Sequence, residues 1–182
     1  MKKILLSLLL IVFICNINDK PVNSQDFNFS EKDKAIAHYN IAVNFIKRGE
    51  LQKAIDEFQT SLTFNPDNTK AYYNMGIAYF NLNKFDKALE CYNKVILITP
   101  NDAITHYNIG VTYSSLNKMN EAEQSYLNAI KYKNDFIEAH ANLAMIYQYQ
   151  DKVDQLNEEL NILKKLDPGI AKRIVDAQNK KY

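Results

Sequence analysis

A small residue returns at every 34th position through the middle of this chain, and this recurrence limits the folds that the chain can adopt. Apolar residues within each unit follow helical spacing, in two amphipathic segments that a short turn separates. A two-helix unit cannot bury its own apolar face, so it needs copies of itself on either side. The recurring residues are the small Ala42, Gly76, Gly110 and Ala144, the small Ala54, Ala88 and Ala122, and the aromatic Phe45, Tyr79, Tyr113 and Tyr147.

Proline closes three of these units, at Pro66, Pro100 and Pro168, and with it the recurrence resembles the tetratricopeptide repeat (TPR). The resemblance implies an all-α TPR solenoid, a right-handed superhelix of helix-turn-helix repeats. The fourth repeat has Leu156 and Leu160 where small and aromatic residues are expected, so its second helix is degenerate. After a linker and helix start at residues 25–34, the repeats occupy residues 35–68, 69–102, 103–136 and 137–170, and residues 171–182 form a C-terminal capping helix.

The turn inside each repeat carries its own signal. The residue after each first helix is of a type that tolerates a left-handed backbone. Three residues further on, Asp86, Asn120 and Asp154 are predicted to cap the second helices of their repeats. The left-handed positions are Gly49, Asn83, Asn117 and Asp151.

Residues 1–24 have the order of a secretory signal peptide: two lysines, the apolar run 4–14 and a polar end. The apolar run is shorter than the roughly 20 residues that a membrane-spanning helix needs. We therefore expect cleavage before Gln25 and export, to the periplasm or outside the cell. The alternatives are a lipid on Cys15, as in an anchored lipoprotein, or a retained leader, and only these imply contact with a membrane.

Charge and motifs exclude several classes of function. The chain has 22 basic and 21 acidic residues, which gives no electrostatic reason to expect a nucleic-acid partner. No phosphate-binding loop, zinc-type cysteine spacing or activated nucleophile is recognisable. The histidines His38, His106 and His140 share the fourth position of their repeats, where packing explains them, and they are too far apart to share a metal. We expect no enzyme activity, no cofactor, no metal and no small-molecule substrate.

The resemblance implies that the first helix of each repeat lines the concave face, with positions 5, 6 and 9 pointing inward. Position 6 is asparagine in all four repeats, although asparagine is a mediocre helix former. Its amide both donates and accepts, so it can pair with the backbone of an extended peptide. The predicted peptide-binding residues are Asn40, Asn74, Asn108 and Asn142, with Tyr39, Tyr73 and Tyr107 at position 5 and Ile77 and Val111 at position 9.

The sequence thus favours a non-catalytic scaffold that binds a protein or peptide partner of unknown identity in its groove. Three alternatives remain open, of which an enzyme with a closed polar pocket around a histidine is the weakest, and the other two concern the groove and assembly. In one, the asparagines bond within the scaffold and the tyrosines pack against neighbouring repeats. In the other, the chain is a structural component of a cell-envelope complex, acting through self-association or a lipid anchor. A clamp for chaperone carboxylates is disfavoured, because Tyr39, Ile104 and Asn108 stand where that clamp has basic residues.

Overall fold

The computed structural model describes residues 29–179, and within them it contains nine α-helices and no strand. The predicted leader, with Cys15 and the cleavage site before Gln25, lies outside the described residues. No helix in the described part is long and apolar enough to cross a membrane. The helices are α1 Glu31–Lys47, α2 Leu51–Phe64, α3 Thr69–Asn81, α4 Phe85–Ile98, α5 Ala103–Ser115, α6 Met119–Tyr132, α7 Ile137–Tyr149, α8 Val153–Leu166 and α9 Pro168–Asn179.

The helices stack in chain order. Each of the pairs α1–α2, α3–α4, α5–α6 and α7–α8 packs as a hairpin, and the second helix of each pair contacts the helix that follows it. Helix α9 closes the series by packing against both α8 and α7. The predicted all-α solenoid is confirmed.

Close packing within the middle hairpins explains two of the small residues. Gly76 lies against the ring of Tyr92, and Gly110 lies in the same way against the ring of Tyr126. Both tyrosines are almost completely buried, so neither ring can move aside easily. A glycine at these positions lets the two helices of a hairpin approach until an aromatic ring contacts backbone.

The turns confirm one local prediction and overturn another. Gly49, Asn83, Asn117 and Asp151 all have positive φ angles, between 54° and 74°, as their residue types predicted. The predicted caps were wrong, because the second helices begin earlier, at the apolar residues Leu51, Phe85, Met119 and Val153. Packing decides the start: the Phe85 ring, for example, meets the Phe80 ring edge-on at 5.4 Å. Asp86 and Asp154 lie instead in the first turn, where a carboxylate favours the helix dipole.

We predict that Thr105→Ala stabilises the protein by about 1 kcal/mol, measured by urea unfolding. Thr105 is completely buried, and its Oγ1 has no hydrogen-bond partner within residues 29–179. Alanine stands at the same position in all three other repeats, and two of these alanines, Ala71 and Ala139, are fully buried; alanine is also the better helix former.

Thr112 provides the matched control for this substitution. It is equally buried, but its Oγ1 donates to the Asn108 carbonyl oxygen at 2.7 Å. Thr112→Ala is therefore expected to destabilise the protein. A loss of stability in Thr105→Ala equal to that in Thr112→Ala would contradict the prediction.

Candidate peptide-binding groove

Asparagine and tyrosine side chains pair from one repeat to the next along the first helices. Asn74 Nδ2 donates to the hydroxyl oxygen of Tyr39 at 3.0 Å. Asn108 donates to Tyr73 at 2.9 Å, and Asn142 donates to Tyr107 at 3.2 Å. The three bonds repeat one geometry, so the two predicted rows form a single series of Tyr–Asn pairs. Asn40 is exposed on α1 and has no such tyrosine partner within residues 29–179.

The pairing changes what these side chains offer to a ligand. Each tyrosine oxygen accepts from an amide, so its own hydroxyl hydrogen remains available for donation. Each paired asparagine uses an amide hydrogen, and within the described residues its Oδ1 accepts no hydrogen bond. A Tyr–Asn pair therefore presents one donor and one acceptor, which is the combination that a peptide backbone requires.

The tyrosine rings are fixed by the second helices of their own repeats. Tyr39 packs against Phe58 with ring centroids 5.6 Å apart, Tyr73 against Tyr92 at 6.1 Å and Tyr107 against Tyr126 at 5.7 Å. Burial raises the pKa of the Tyr73 and Tyr107 hydroxyls above the ordinary value, although the asparagine hydrogen bonds act in the opposite direction. The phenols thus stay protonated at neutral pH and remain hydrogen-bond donors.

A pocket lies beside each Tyr–Asn pair. The first pocket, of 280 Å³, includes Tyr39 and Asn74. The second, of 200 Å³, includes Tyr73 and Asn108, and the third, of 590 Å³, includes Tyr107 and Asn142. A fourth pocket of 350 Å³ lies between α7 and α9. The predicted Ile77 lines the second pocket, and Val111 lines both the second and the third.

The sequence did not single out several further lining residues. Lys70, Asp102 and Ile104 line the first pocket, while Met145 and Tyr149 line the third. Met145 occupies position 9, as Ile77 and Val111 do. Lys70 and Ile104 occupy position 2, and Tyr149 occupies position 13. The residue type at positions 2 and 13 varies among the repeats, whereas position 9 is apolar in all four repeats. Apart from Asp102, each of these side chains could be identified from the sequence by listing all residues at these positions of every repeat, whether or not their type recurs.

The three histidines are held in different ways. In His140, Nδ1 lies 2.6 Å from Glu159 Oε2 and Nε2 lies 3.0 Å from the Asn134 carbonyl oxygen. His38 Nδ1 contacts Glu57 Oε2 at 2.6 Å, and His106 Nε2 contacts the Pro100 carbonyl oxygen at 2.9 Å. His38 and His106 also stack on Phe64 and Tyr132, respectively. Among the described residues, no group of three potential ligands could hold a metal ion.

Burial lowers the pKa of His140, but the hydrogen bonds to Glu159 and to the Asn134 carbonyl raise it, and the net pKa is above the ordinary value. Both ring nitrogens face oxygen acceptors, and only the imidazolium form can donate a hydrogen bond to each of them.

Comparison with known proteins supports the repeat assignment. Models of the tetratricopeptide repeat match residues 69–102 and 103–136, and a TPR repeat model matches residues 44–83. Together these matches span residues 44–136, just over half of the 182-residue chain. No curated protein matches the sequence.

Solved structures with the same fold include MamA 41-end from Desulfovibrio magneticus RS-1, with 20% identity and a TM-score of 0.69, covering 76% of this chain and 78% of that one. YrrB, described as a TPR protein with an unusual peptide-binding site, has 18% identity and a TM-score of 0.67, with 80% and 78% covered. The first TPR of Spaghetti (RPAP3), bound to the HSP90 peptide SRMEEVD, has 24% identity and a TM-score of 0.62, with 66% and 95% covered. Repeat models and structures agree: the chain belongs to the tetratricopeptide-repeat proteins and is an all-α TPR solenoid.

Proposed function

We propose that this protein is a non-catalytic interaction module that holds an extended segment of a partner polypeptide along its first helices. The observation that carries the proposal is the series of three Tyr–Asn pairs, each beside a pocket. Each pair supplies a donor and an acceptor for the partner backbone, and each pocket takes a side chain. Two of the similar structures, YrrB and the Spaghetti TPR, are described as peptide-binding or peptide-bound, which agrees with this use of the fold.

The spacing of the pairs fits an extended ligand. Adjacent packed helices lie roughly 8–10 Å apart, and an extended chain rises about 3.3 Å per residue. Successive pairs would therefore meet about every third residue of the partner. Hydrogen bonds to the backbone do not read side chains, so the pairs provide affinity and register while the pockets provide selectivity.

Replacing both Asn74 and Asn108 with alanine is expected to weaken peptide binding by about five- to 150-fold, because two hydrogen bonds contribute about 0.5–1.5 kcal/mol each. Peptides selected from a displayed 12-residue library against the wild-type protein serve as ligands, and calorimetry measures their affinity. Circular dichroism checks that helical content is unchanged.

Asn93 offers the matched control, because it is an exposed asparagine on the second helix α4, away from the Tyr–Asn pairs. Asn93→Ala is expected to leave affinity unchanged. Selected peptides that bind the Asn74→Ala/Asn108→Ala variant as tightly as the wild type would refute the role of the pairs.

A second function, self-association within a larger assembly, is favoured by the outer face of α1. Ile41 is 42% exposed, whereas the residues at the same position in later repeats, Met75, Ile109 and Leu143, are at most 7% exposed. In each later repeat the equivalent apolar residue is buried, whereas in the first repeat it is open to solvent. If this face assembles copies of the chain, sedimentation should show a mass that rises with concentration in the wild type but not in Ile41→Glu.

We also propose that the protein is exported, on the strength of the leader sequence alone. Mass spectrometry of the mature N-terminus tests this: a chain beginning at Gln25 supports cleavage, and an acylated Cys15 supports the lipoprotein alternative.

A further inference from the structure

We propose that the third and fourth pockets together select a partner segment with a large apolar side chain, aromatic by preference, and an acidic side chain about three residues away. This inference rests on the proposed peptide binding and specifies the chemistry of the peptide. Two observations support this inference: the residues that line the two pockets, and the position of Arg173 in the fourth pocket.

The third pocket is built for an uncharged, apolar group. At 590 Å³ it has more than twice the volume of the first pocket, and no charged side chain lines it. Its walls include three aromatic rings and two thioethers, which adapt to ligand shape and contact aromatic rings favourably. These side chains belong to Tyr107, Tyr126, Tyr149, Met119 and Met145.

Part of this lining lies open to solvent. Met145 is 58% exposed and Tyr149 is 65% exposed, although both side chains are largely apolar. Their neighbours on α7, Leu143 and Ile146, are buried in the core, so α7 is apolar on its groove side as well as on its core side. An apolar ligand side chain would remove this surface from water.

The fourth pocket continues the third, because Met145 lines both of them. It adds Ile170, Ile174 and Ala177 from α9, and the only charged residue in its lining is Arg173. Arg173 is exposed and makes no ion pair within residues 29–179, whereas the neighbouring Lys172 pairs with Asp176 at 3.3 Å. The two pockets therefore join an uncharged apolar site to a single positive charge.

Charge complementarity then defines the occupant. No acidic side chain lines the third or the fourth pocket, and the nearby Asp176 is paired with Lys172, so a carboxylate in the fourth pocket would be attracted to Arg173. The first pocket differs, since it contains both Lys70 and Asp102 and gives no preference for either sign of charge. Because adjacent repeats are spaced by about the length of three residues of extended chain, the apolar and the acidic side chain of the partner should lie about three residues apart.

The test uses an array of nine-residue peptides with acetylated and amidated ends. In each peptide two positions, three residues apart, are varied, and the array covers every pair of amino acids in both orders. All other positions are serine or threonine. With the wild-type protein, we expect phenylalanine, tyrosine, leucine or methionine at one position to bind about tenfold or more above serine. Glutamate or aspartate at the other position should bind up to about fivefold above lysine.

Variants at exposed positions keep the test independent of folding. Tyr149→Ala is expected to reduce the apolar preference by about tenfold, and Arg173→Glu is expected to reverse the preference at the second position from acidic to basic. Leu97→Ala is the control, because Leu97 is 76% exposed on the second helix α4 and lines neither pocket. It should leave the array pattern unchanged.

The outcomes separate this inference from the proposed function. Peptides that bind with dependence on Asn74 and Asn108, but with no apolar or acidic preference, would overturn the inference and leave the proposed function standing. Failure of every peptide to bind the wild type would overturn both. Concentration-dependent self-association that Tyr149→Ala abolishes would also overturn it, because the occupant would then be a second copy of the chain.

Discussion

The stability of this protein is expected to fall as the pH rises above about 6.5, and Glu159→Gln is expected to weaken this dependence strongly. The His140 ring is 3% exposed, and both of its nitrogens face oxygen acceptors. The protonated ring can donate from both nitrogens, to the Glu159 carboxylate and to the Asn134 carbonyl, and both of these hydrogen bonds are then charge-assisted. Hydrogen bonds to charged groups contribute about 1.5–3 kcal/mol, which is the loss expected in Glu159→Gln at pH 5.5.

The direction of the pH dependence follows from proton uptake. The pKa of His140 in the folded protein is raised above the ordinary value of about 6.5 that it has in the unfolded chain. Below that ordinary value both states are protonated, and the stabilisation is fully present. As the pH rises towards the folded pKa, only the folded state holds the proton, and stability falls by up to about 1.4 kcal/mol per pH unit. Urea unfolding between pH 5.5 and pH 9 measures the slope.

His38 and Glu57 supply the matched control. Their atoms are joined at the same 2.6 Å, but their side chains are 32% and 29% exposed, so solvent screens the pair, and the other His38 nitrogen has no acceptor among the described residues. Glu57→Gln should therefore cost much less stability at pH 5.5 than Glu159→Gln. Equal effects of the two substitutions, or an unchanged slope in Glu159→Gln, would contradict the role assigned to His140.

The sequence predicted those parts of the fold that depend on local chemistry and on recurrence. Asn83 and Asn117 tolerate a left-handed backbone, and the turn after each first helix requires one. The starts of the second helices were predicted wrongly, because a capping rule considers only side chain and nearby backbone. Packing of Phe85 against Phe80 instead places the start of α4 one residue ahead of Asp86.

The site was only partly accessible from the sequence, for a geometric reason. Tyr73 and Asn74 are adjacent in the chain, yet Tyr73 pairs with Asn108 and Asn74 pairs with Tyr39, in each case 35 residues away. The recurrence reveals both rows of residues, but whether they touch depends on the rotation between successive hairpins. The lining of the third pocket includes Tyr149, whose equivalents in the other repeats are not aromatic, so this residue carries no periodic signal.

Gly110→Ala is expected to destabilise the protein by about 1–2 kcal/mol, although alanine is the better helix former by about 1 kcal/mol. A Cβ atom at this position would lie 2.6 Å from Cε1 and 2.7 Å from Cδ1 of Tyr126. The Tyr126 ring is 1% exposed, and its hydroxyl lies within 3.3 Å of both Ser114 and Asn142. Helices α5 and α6 must therefore separate to admit the methyl group, and the resulting strain exceeds the gain in helix propensity.

The fourth repeat shows how a methyl group at this position is accommodated, because it combines Ala144 with Leu160 where the third repeat combines Gly110 with Tyr126. Ala144 is completely buried and Leu160 is 5% exposed, so the smaller partner still fills its site. Tyr126→Leu alone should also be destabilising, because it opens a cavity and removes the contacts with Ser114 and Asn142.

Combining the two substitutions reproduces the pairing of the fourth repeat. We expect the Gly110→Ala/Tyr126→Leu variant to lose at least 1 kcal/mol less stability than the sum of its two single variants, measured by urea unfolding. The same cycle at Gly76 and Tyr92, where a Cβ would again lie 2.6 Å from the ring, should give a coupling of the same sign. Strict additivity at both sites would mean that the contact between ring and backbone does not set the distance between the helices. The recurrence of glycine in the second and third repeats would then require another cause.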